Sequence, residues 1–235
     1  MLDHDTAVLD DPVGASLRGA HAHLARRRGG ALSYLPEVAS FSSTGTAPDA
    51  AAWDDLAALL GPGEFADLFS CPAPPPPHWE PEFTLDGLQL TGPAEVRPPA
   101  GADGLVELGA ADVPEMLDLV ARTRPGPFRP RTAELGGYLG VREHGALVAM
   151  AGERLRPPGW TEISAVCTAP EARGRGHAAR LVAELAARIT ARGERPFLHV
   201  AAANSGALAL YRRLGFEVRR PVVFRGFRTP GTAAG

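Results

Sequence analysis

Arg173-Gly174-Arg175-Gly176-His177-Ala178 is the stretch of this chain whose residue types and spacing could hold a phosphate. It sits at a join. Ile163 to Thr168 is short, apolar and rich in β-branched residues, as a strand is, and Ala169-Pro170 ends it because proline cannot donate to a ladder. After the glycines, Leu181, Val182, Leu185, Ala186 and Ile189 recur as one stripe of a helix, which runs to Gly193. From Gly174 to Arg192 such a helix would be about 28 Å long. A helix start presents backbone N–H groups without partners and a partial positive charge. Gly174, Gly176 and Ala178 let a ligand approach that backbone, and Arg173 and Arg175 add charge. The result is a pyrophosphate cradle. It is not a Rossmann turn, because the second glycine interval is one residue too short. No Gly-Lys-Ser/Thr follows, which excludes a P-loop.

A second block lies downstream: Asn204-Ser-Gly-Ala207-Leu-Ala-Leu-Tyr211-Arg-Arg-Leu-Gly215-Phe216. Between the two lies a strand-like Pro196 to Val200. Arg173-x-x-Gly176-x-Ala178 after a strand, followed by Asn, Ala, Tyr and Gly-Phe at these offsets, resembles the acyl-CoA signature of the GNAT superfamily of N-acyltransferases. The resemblance covers roughly Leu105 to Phe227 and leaves out the first hundred residues. It implies acetyl-CoA as cosubstrate and no metal. It also implies that backbone groups of Val166 and Thr168 pair with the pantetheine arm as an added strand would. By the same resemblance the turn from Arg173 through Gly174, Arg175, Gly176 and His177 to Ala178 holds the pyrophosphate, and Asn204 bonds the pantetheine arm. Capping alone would also explain an asparagine at 204.

Acyl transfer to an amine needs a neutral amine and a stabilised leaving thiolate. A lysine-type ammonium costs roughly 4–5 kcal/mol to deprotonate at pH 7, an α-ammonium about 1. Glu162, at the start of the cofactor strand, matches the place where some family members carry a catalytic glutamate; an exposed strand-end carboxylate is the alternative. His199, at the end of the next strand, competes for the role of base, against a purely structural role. Tyr211 matches the family's general acid toward the CoA sulfur; a core tyrosine at helical spacing is the alternative. A phenol is a weaker acid than a thiol by roughly 2 kcal/mol, so Tyr211 is expected to donate a hydrogen bond that strengthens as the thiolate forms.

Composition narrows the rest. The chain has 235 residues, 45% of them hydrophobic, enough for one large domain or two small ones. A net charge of -3 gives no general attraction to nucleic acid or anionic membrane. Arg26-Arg27-Arg28 and Arg219-Arg220 read as solvated faces. Two cysteines, Cys71 and Cys167, make no disulfide framework. The acidic start Met-Leu-Asp-His-Asp has no apolar signal region, and no run approaches a membrane span, so a cytoplasmic protein is expected. His21 and His23, two apart, face different sides of a helix and are not a metal pair.

These groups must be positioned by an α/β scaffold with a mixed sheet. Residues 1–92 read as a smaller α/β region, a shortened, motif-free copy of the same pattern. It would hold a helix from Asp11-Pro12 through Leu24, a strand at Ala31–Leu35, a helix capped by Asp49, a strand at Glu64–Phe69, and a hairpin around Asp86-Gly87. Pro74 to Pro77 is a stiff spacer. Residues 93–103 are a Pro/Gly-rich linker, and 104–235 form the GNAT-type domain. Within it, a helix follows Asp112 and Pro114, a hairpin turns at Gly145, and two closing strands are broken by Pro221; the resemblance implies that the polar segment Thr123–Arg131 helps wall the acceptor site. The resemblance implies acetyl transfer from acetyl-CoA to a primary amine by direct attack in a ternary complex; the last block is somewhat similar to the glycine-acyltransferase-like branch, which implies a small-molecule amine or an amino acid, while a protein N-terminus stays open as acceptor and an inactive acyl-CoA sensor is the alternative. A homodimer through a sheet edge is one expectation; the first ninety residues filling that edge is the other.

Overall fold

The computed structural model describes residues 5–69, 71, 73–96 and 104–231. In chain order the elements are α1 (Pro12–Arg18), β1 (Ala25–Arg28), β2 (Ala31–Tyr34), β3 (Ser42–Ser43), α2 (Ala50–Leu60), β4 (Phe65–Asp67), β5 (Glu80–Thr91), β6 (Leu105–Leu108), α3 (Val113–Thr123), β7 (Tyr138–Glu143), β8 (Ala146–Glu153), β9 (Trp160–Thr168), α4 (His177–Ala191), β10 (Arg195–Ala201), α5 (Ser205–Arg213) and β11 (Glu217–Arg228). β1, β2 and β3 form a small antiparallel sheet. The other eight strands form one sheet in the order β4-β11-β5-β10-β9-β8-β7-β6, a mixed α/β arrangement as the sequence led us to expect.

The first ninety residues and the remainder share that sheet. β5, just before residue 92, is its inner strand between β10 and β11, antiparallel to both. β4 forms the sheet edge beyond β11. The proline run Pro74–Pro77 therefore carries the chain from the edge strand past β11 to an inner position. Most of the expected linker, residues 97–103, lies outside the described residues.

Several local expectations change. Asp86-Gly87 makes no hairpin: β5 runs unbroken from Glu80 to Thr91, because its whole length is paired to β11. Gly87 is needed there for space, since a Cβ would overlap the Phe224 ring. Pro221 does not break β11 either; the register shifts lie between Val218 and Arg220 and between Gly226 and Phe227. The first helix stops at Arg18, and Arg26–Arg28 become a strand whose Arg26 and Arg27 side chains cap the carbonyls of Leu59 and Leu17. Asp49 does cap α2, accepting from the Ala52 amide at 2.9 Å.

Alternation along the central strands sorts the molecule into layers. Leu88 and Leu90 of β5, Ile163 of β9, and Leu198 and Val200 of β10 face a core shared with α3, α4 and α5. Trp160 of β9 and Phe197 of β10 face the other way, into a core with Leu9, Val13, Leu17, Tyr34 and Phe41. Glu162, His199 and Gln89 share parity with that second set. They therefore lie under the N-terminal layer.

Candidate active site

The large sheet opens at one place. β9 and β10 run parallel and pair only from Trp160–Arg195 to Glu162–Phe197. Beyond Glu162 they part. Ala165 takes a φ of 52°, and the pairing of β9 to β8 shifts register between Met150 and Gly152, so a bulge turns β9 away from β10. From Ile163 to Thr168 the β10-facing edge of β9 has no strand partner among the described residues. A cleft of ≈ 630 Å³ passes through this gap.

One end of the cleft lies in the helical layer. Val166 and Thr168 line it from β9, Arg173 and Ala178 from the turn and the start of α4, Asn204 from the cap of α5 and Tyr211 from α5 itself. Gly176 is the N-cap of α4 with φ 78°, and no side chain caps that helix. Gly174 is also left-handed, at φ 79°, and the space above both glycines is open. The turn thus needs glycine for its backbone conformation and exposes helix-start amides, as an anion cradle requires. The side chains of Arg175 and His177 turn elsewhere: Arg175 pairs with Glu143 at 2.6 Å, and the His177 Nε2 lies 3.0 Å from the same carboxylate. Asn204 accepts from the Ala207 amide at 3.1 Å, capping α5 as well as lining the cleft. Tyr211 is nearly buried, and burial pushes its hydroxyl up to about 12.

At the vertex, where the strands part, Glu162 is fully buried. Arg154 donates to both its oxygens, Nε at 2.8 Å and Nη2 at 2.7 Å, and His199 Nδ1 lies 2.6 Å from it. Burial alone would raise this carboxyl, but the Arg154 charge and hydrogen bonds, with help from His199, outweigh it and hold Glu162 down to about 2. A base poised for an amine needs the opposite direction. The His199 ring is ordered by the same chain of contacts. Arg219 donates to Gln89 Oε1 at 2.8 Å, so the Gln89 amide nitrogen faces Leu9 O at 2.8 Å and His199 Nε2 at 3.1 Å. That assigns Nε2 as acceptor and Nδ1–H as the donor to Glu162, a neutral imidazole. Burial keeps His199 below the ordinary range despite the neighbouring carboxylate.

The other end of the cleft is built by residues from the N-terminal layer and the outer strands: Phe41, Asp67, Phe69, Phe83, Leu85 and Phe224. Phe69 packs edge-on to His199 with centroids 4.7 Å apart and stacks on Phe224 at 4.9 Å. The Arg154 guanidinium lies over Phe41 and Phe69, at 5.0 and 4.5 Å from the ring centres. Asp67 is buried, with Oδ2 accepting from Ser40 at 2.7 Å. Burial pushes its carboxyl up to about 6, against the pull of Ser40, Arg154 and Arg129. None of these residues stood out in the sequence. The one available signal was an aspartate inside the apolar run Phe65-Ala66-Asp67-Leu68-Phe69, where strands seldom place one. Thr123 to Pro127 lines the cleft mouth, where the polar segment was expected to wall the site. Among the described residues no group of three or more His, Cys, Asp or Glu could hold a metal ion, and no helix is long and apolar enough to cross a membrane.

Similarity to known proteins follows the same geometry. A family model described as FR47-like protein matches residues 138–224, from β7 into β11. N-alpha-acetyltransferase RimI of Mycobacterium tuberculosis (strain ATCC 25618 / H37Rv) is 42% identical over 83 residues, 34% of this chain and 51% of that protein. The chain thus matches about half the length of that curated relative. The GCN5-related N-acetyltransferase from Kribbella flavida shares the fold over 96% of both chains, with a TM-score of 0.61 and 19% identity. The crystal structure of a GNAT-family protein from Novosphingobium aromaticivorans DSM 12444 is 40% identical, with a TM-score of 0.84, over 96% of this chain and 98% of its own. Such identity along nearly a whole chain includes the N-terminal layer as well as the splayed strands, and the protein belongs to the GNAT family.

Proposed function

We propose that this protein transfers an acetyl group from acetyl-CoA to a primary amine, by direct attack in a ternary complex. The parting of β9 and β10 beyond Glu162 carries this reading. It joins a free strand edge, a helix-start anion cradle and Tyr211 on one side of the sheet to an aromatic chamber on the other.

The cosubstrate fits this chain's own groups. The free edge of β9 at Val166 and Thr168 can take an extended amide-bearing arm, and the amides from Arg173 to Ala178 can take two phosphates. Asn204 has a side-chain amide at the cleft. When bound, acetyl-CoA supplies the activated acyl group. Tyr211 then acts on the leaving sulfur. A hydroxyl at about 12 is a weaker acid than a thiol by about 5 kcal/mol in this reaction. Tyr211 therefore serves by donating a hydrogen bond that strengthens as charge gathers on sulfur. Glu162 orients Arg154 and His199 at the vertex; held at about 2, it keeps its charge and takes no proton. These dispositions favour the enzyme over an acyl-CoA sensor, which has no use for a donor at the thioester.

A small-molecule amine or an amino acid suits a chamber that shares ≈ 630 Å³ with the cosubstrate arm. The similarity to N-alpha-acetyltransferase RimI favours a peptide α-amine instead. An 83-residue match cannot contain both Asp67 and Tyr211, so it does not cover the whole lining of the cleft. Calorimetric titration with acetyl-CoA and with desulfo-CoA, followed by an amine and peptide library read as free thiol, tests the reading. Binding with thiol release supports it. Binding without release for any acceptor moves the protein to the sensor class.

A further inference from the structure

The chamber on the far side of the splay has a definite chemistry. Its walls are rings and methyls, Phe69, Phe83, Leu85 and Phe224, and among the described residues Asp67 is the carboxylate in it that makes no ion pair. Arg154 stands near Asp67, but it is committed through two hydrogen bonds to Glu162. Arg154, Glu162 and Asp67 together are one guanidinium against two carboxylates. His199, in its neutral tautomer, adds nothing to the sum. Arg129 also faces Asp67 but is exposed, so water screens it. On β11 the partner position is Gly226, and the neighbouring Arg225 is turned to the Cys71 carbonyl at 2.9 Å. Ser40 holds Oδ2 and fixes the carboxylate's direction. A buried group with this balance accepts a cation.

We propose that Asp67 anchors the acceptor's ammonium and takes its first proton, and that the acceptor is an amine carried on an apolar or aromatic body. The body lies against Phe69 and Phe224 and reaches Phe83 and Leu85 at the rim, which are 41% and 44% exposed. This rests on the acetyl-transfer reading for the step that follows binding. A proton passes from the ammonium to Asp67, leaving a neutral amine. The amine's lone pair forms the C–N bond to the acetyl carbon, and the C–S bond breaks with its electron pair on sulfur. Tyr211 donates its hydrogen bond to the departing sulfur, and the second proton on the acceptor nitrogen passes through water to the thiolate, giving the thiol. Asp67 returns its proton to solvent, so one ammonium and one thioester give one amide, one thiol and one proton. Moving a carboxyl from 3.8 to about 6 makes the first transfer about a hundredfold less unfavourable than for an ordinary aspartate.

The test uses the full chain saturated with desulfo-CoA and 2-phenylethylamine as probe, with ethylamine, L-phenylalanine and a short peptide as comparators. Calorimetry should show 2-phenylethylamine binding at least tenfold more tightly than ethylamine. Asp67→Asn should weaken it at least tenfold with desulfo-CoA affinity unchanged, and Asp67→Glu should restore part of the loss. With acetyl-CoA, thiol release from 2-phenylethylamine should give a kcat/KM that rises with pH through an ionisation near 6, and Asp67→Asn should lose that limb. Equal binding of ethylamine, or equal binding by Asp67→Asn, overturns the proposal. Thiol release from other amines with Asp67→Asn fully active overturns the anchor and leaves the transferase standing. Asp67-dependent binding with no thiol release does the reverse.

Discussion

Arg154 and Glu162 form a two-pronged ion pair at the vertex of the splayed strands, Nε to Oε2 at 2.8 Å and Nη2 to Oε1 at 2.7 Å. Both side chains are out of water, and His199 closes the remaining side of the carboxylate at 2.6 Å. The pair makes Glu162 a fixed charge and spends the Arg154 charge that would otherwise compensate Asp67.

Glu162→Gln should cost about 3–5 kcal/mol in denaturant unfolding, because it strands the buried guanidinium of Arg154. The pH profile of kcat/KM should keep its shape, since no proton is taken at Glu162. The folded carboxyl lies at about 2 against an ordinary 4.5. Its contribution to stability is therefore complete above pH 4.5 and fades as pH falls toward 2. Unfolding titrations of wild type and variant should converge over that acid window.

Tyr211→Phe should lower kcat about a hundredfold to a thousandfold, the size expected for losing one donor to charge that develops in the transition state. Calorimetric affinity for acetyl-CoA should stay within about twofold, since the lost group acts on the departing sulfur. A variant with wild-type kcat would make Tyr211 a packing residue beside Phe216, whose ring centre lies 6.0 Å away.

His21 carries a separate pH response. Tyr34 hydroxyl lies 2.8 Å from its Nδ1 and the Leu135 carbonyl 3.1 Å from Nε2, so Nε2 donates to Leu135 and the ring is neutral. Burial, opposed by the Leu135 bond, lowers it to about 4 from 6.5. Native stability from this group is complete above pH 6.5 and is lost as pH falls toward 4, up to about 3 kcal/mol. Asp67, raised from 3.8 to about 6, acts with the opposite sign over much of the same window: its native form is favoured at low pH and loses ground as pH rises. The checkable quantity is therefore the difference between wild type and His21→Gln, which should shrink in urea titrations from pH 7 to pH 4.

Removing residues 1–92 should unfold the remainder rather than release a working domain. β5 is the strand that joins β10 to β11, and Leu90 on it is fully buried in the helical core. Circular dichroism of the truncated chain should lose native strand signal, and acetyl-CoA should not bind. Leu90→Ala in the full chain should cost about 2–5 kcal/mol by thermal or urea unfolding.

The cradle and its helix were legible because they are local. Ile163–Thr168, the two left-handed glycines and the stripe from Leu181 to Ile189 lie within one strand–turn–helix unit, where spacing alone dictates which groups meet. The relation of Asn204 to Tyr211 was legible for the same reason, since Asn204 caps the nine-residue helix that carries Tyr211. The position of Glu162 on its strand was legible, but its charge state depends on Arg154, eight residues away across a turn, and on His199, brought alongside by parallel pairing. The acceptor chamber was not legible at all. Phe41, Asp67, Phe69 and Phe224 come from the edge strand, the loops above the sheet and the last strand, and no sequence period connects them. They meet because β5 inserts between β10 and β11 and pulls the first ninety residues over the open vertex. The sequence by itself determined the strand, the left-handed glycine turn and the helix that follows it. Only the tertiary structure decided which buried carboxylate lines the chamber without an arginine hydrogen-bonded to it, because that depends on which one Arg154, the one buried arginine among the described residues, already satisfies.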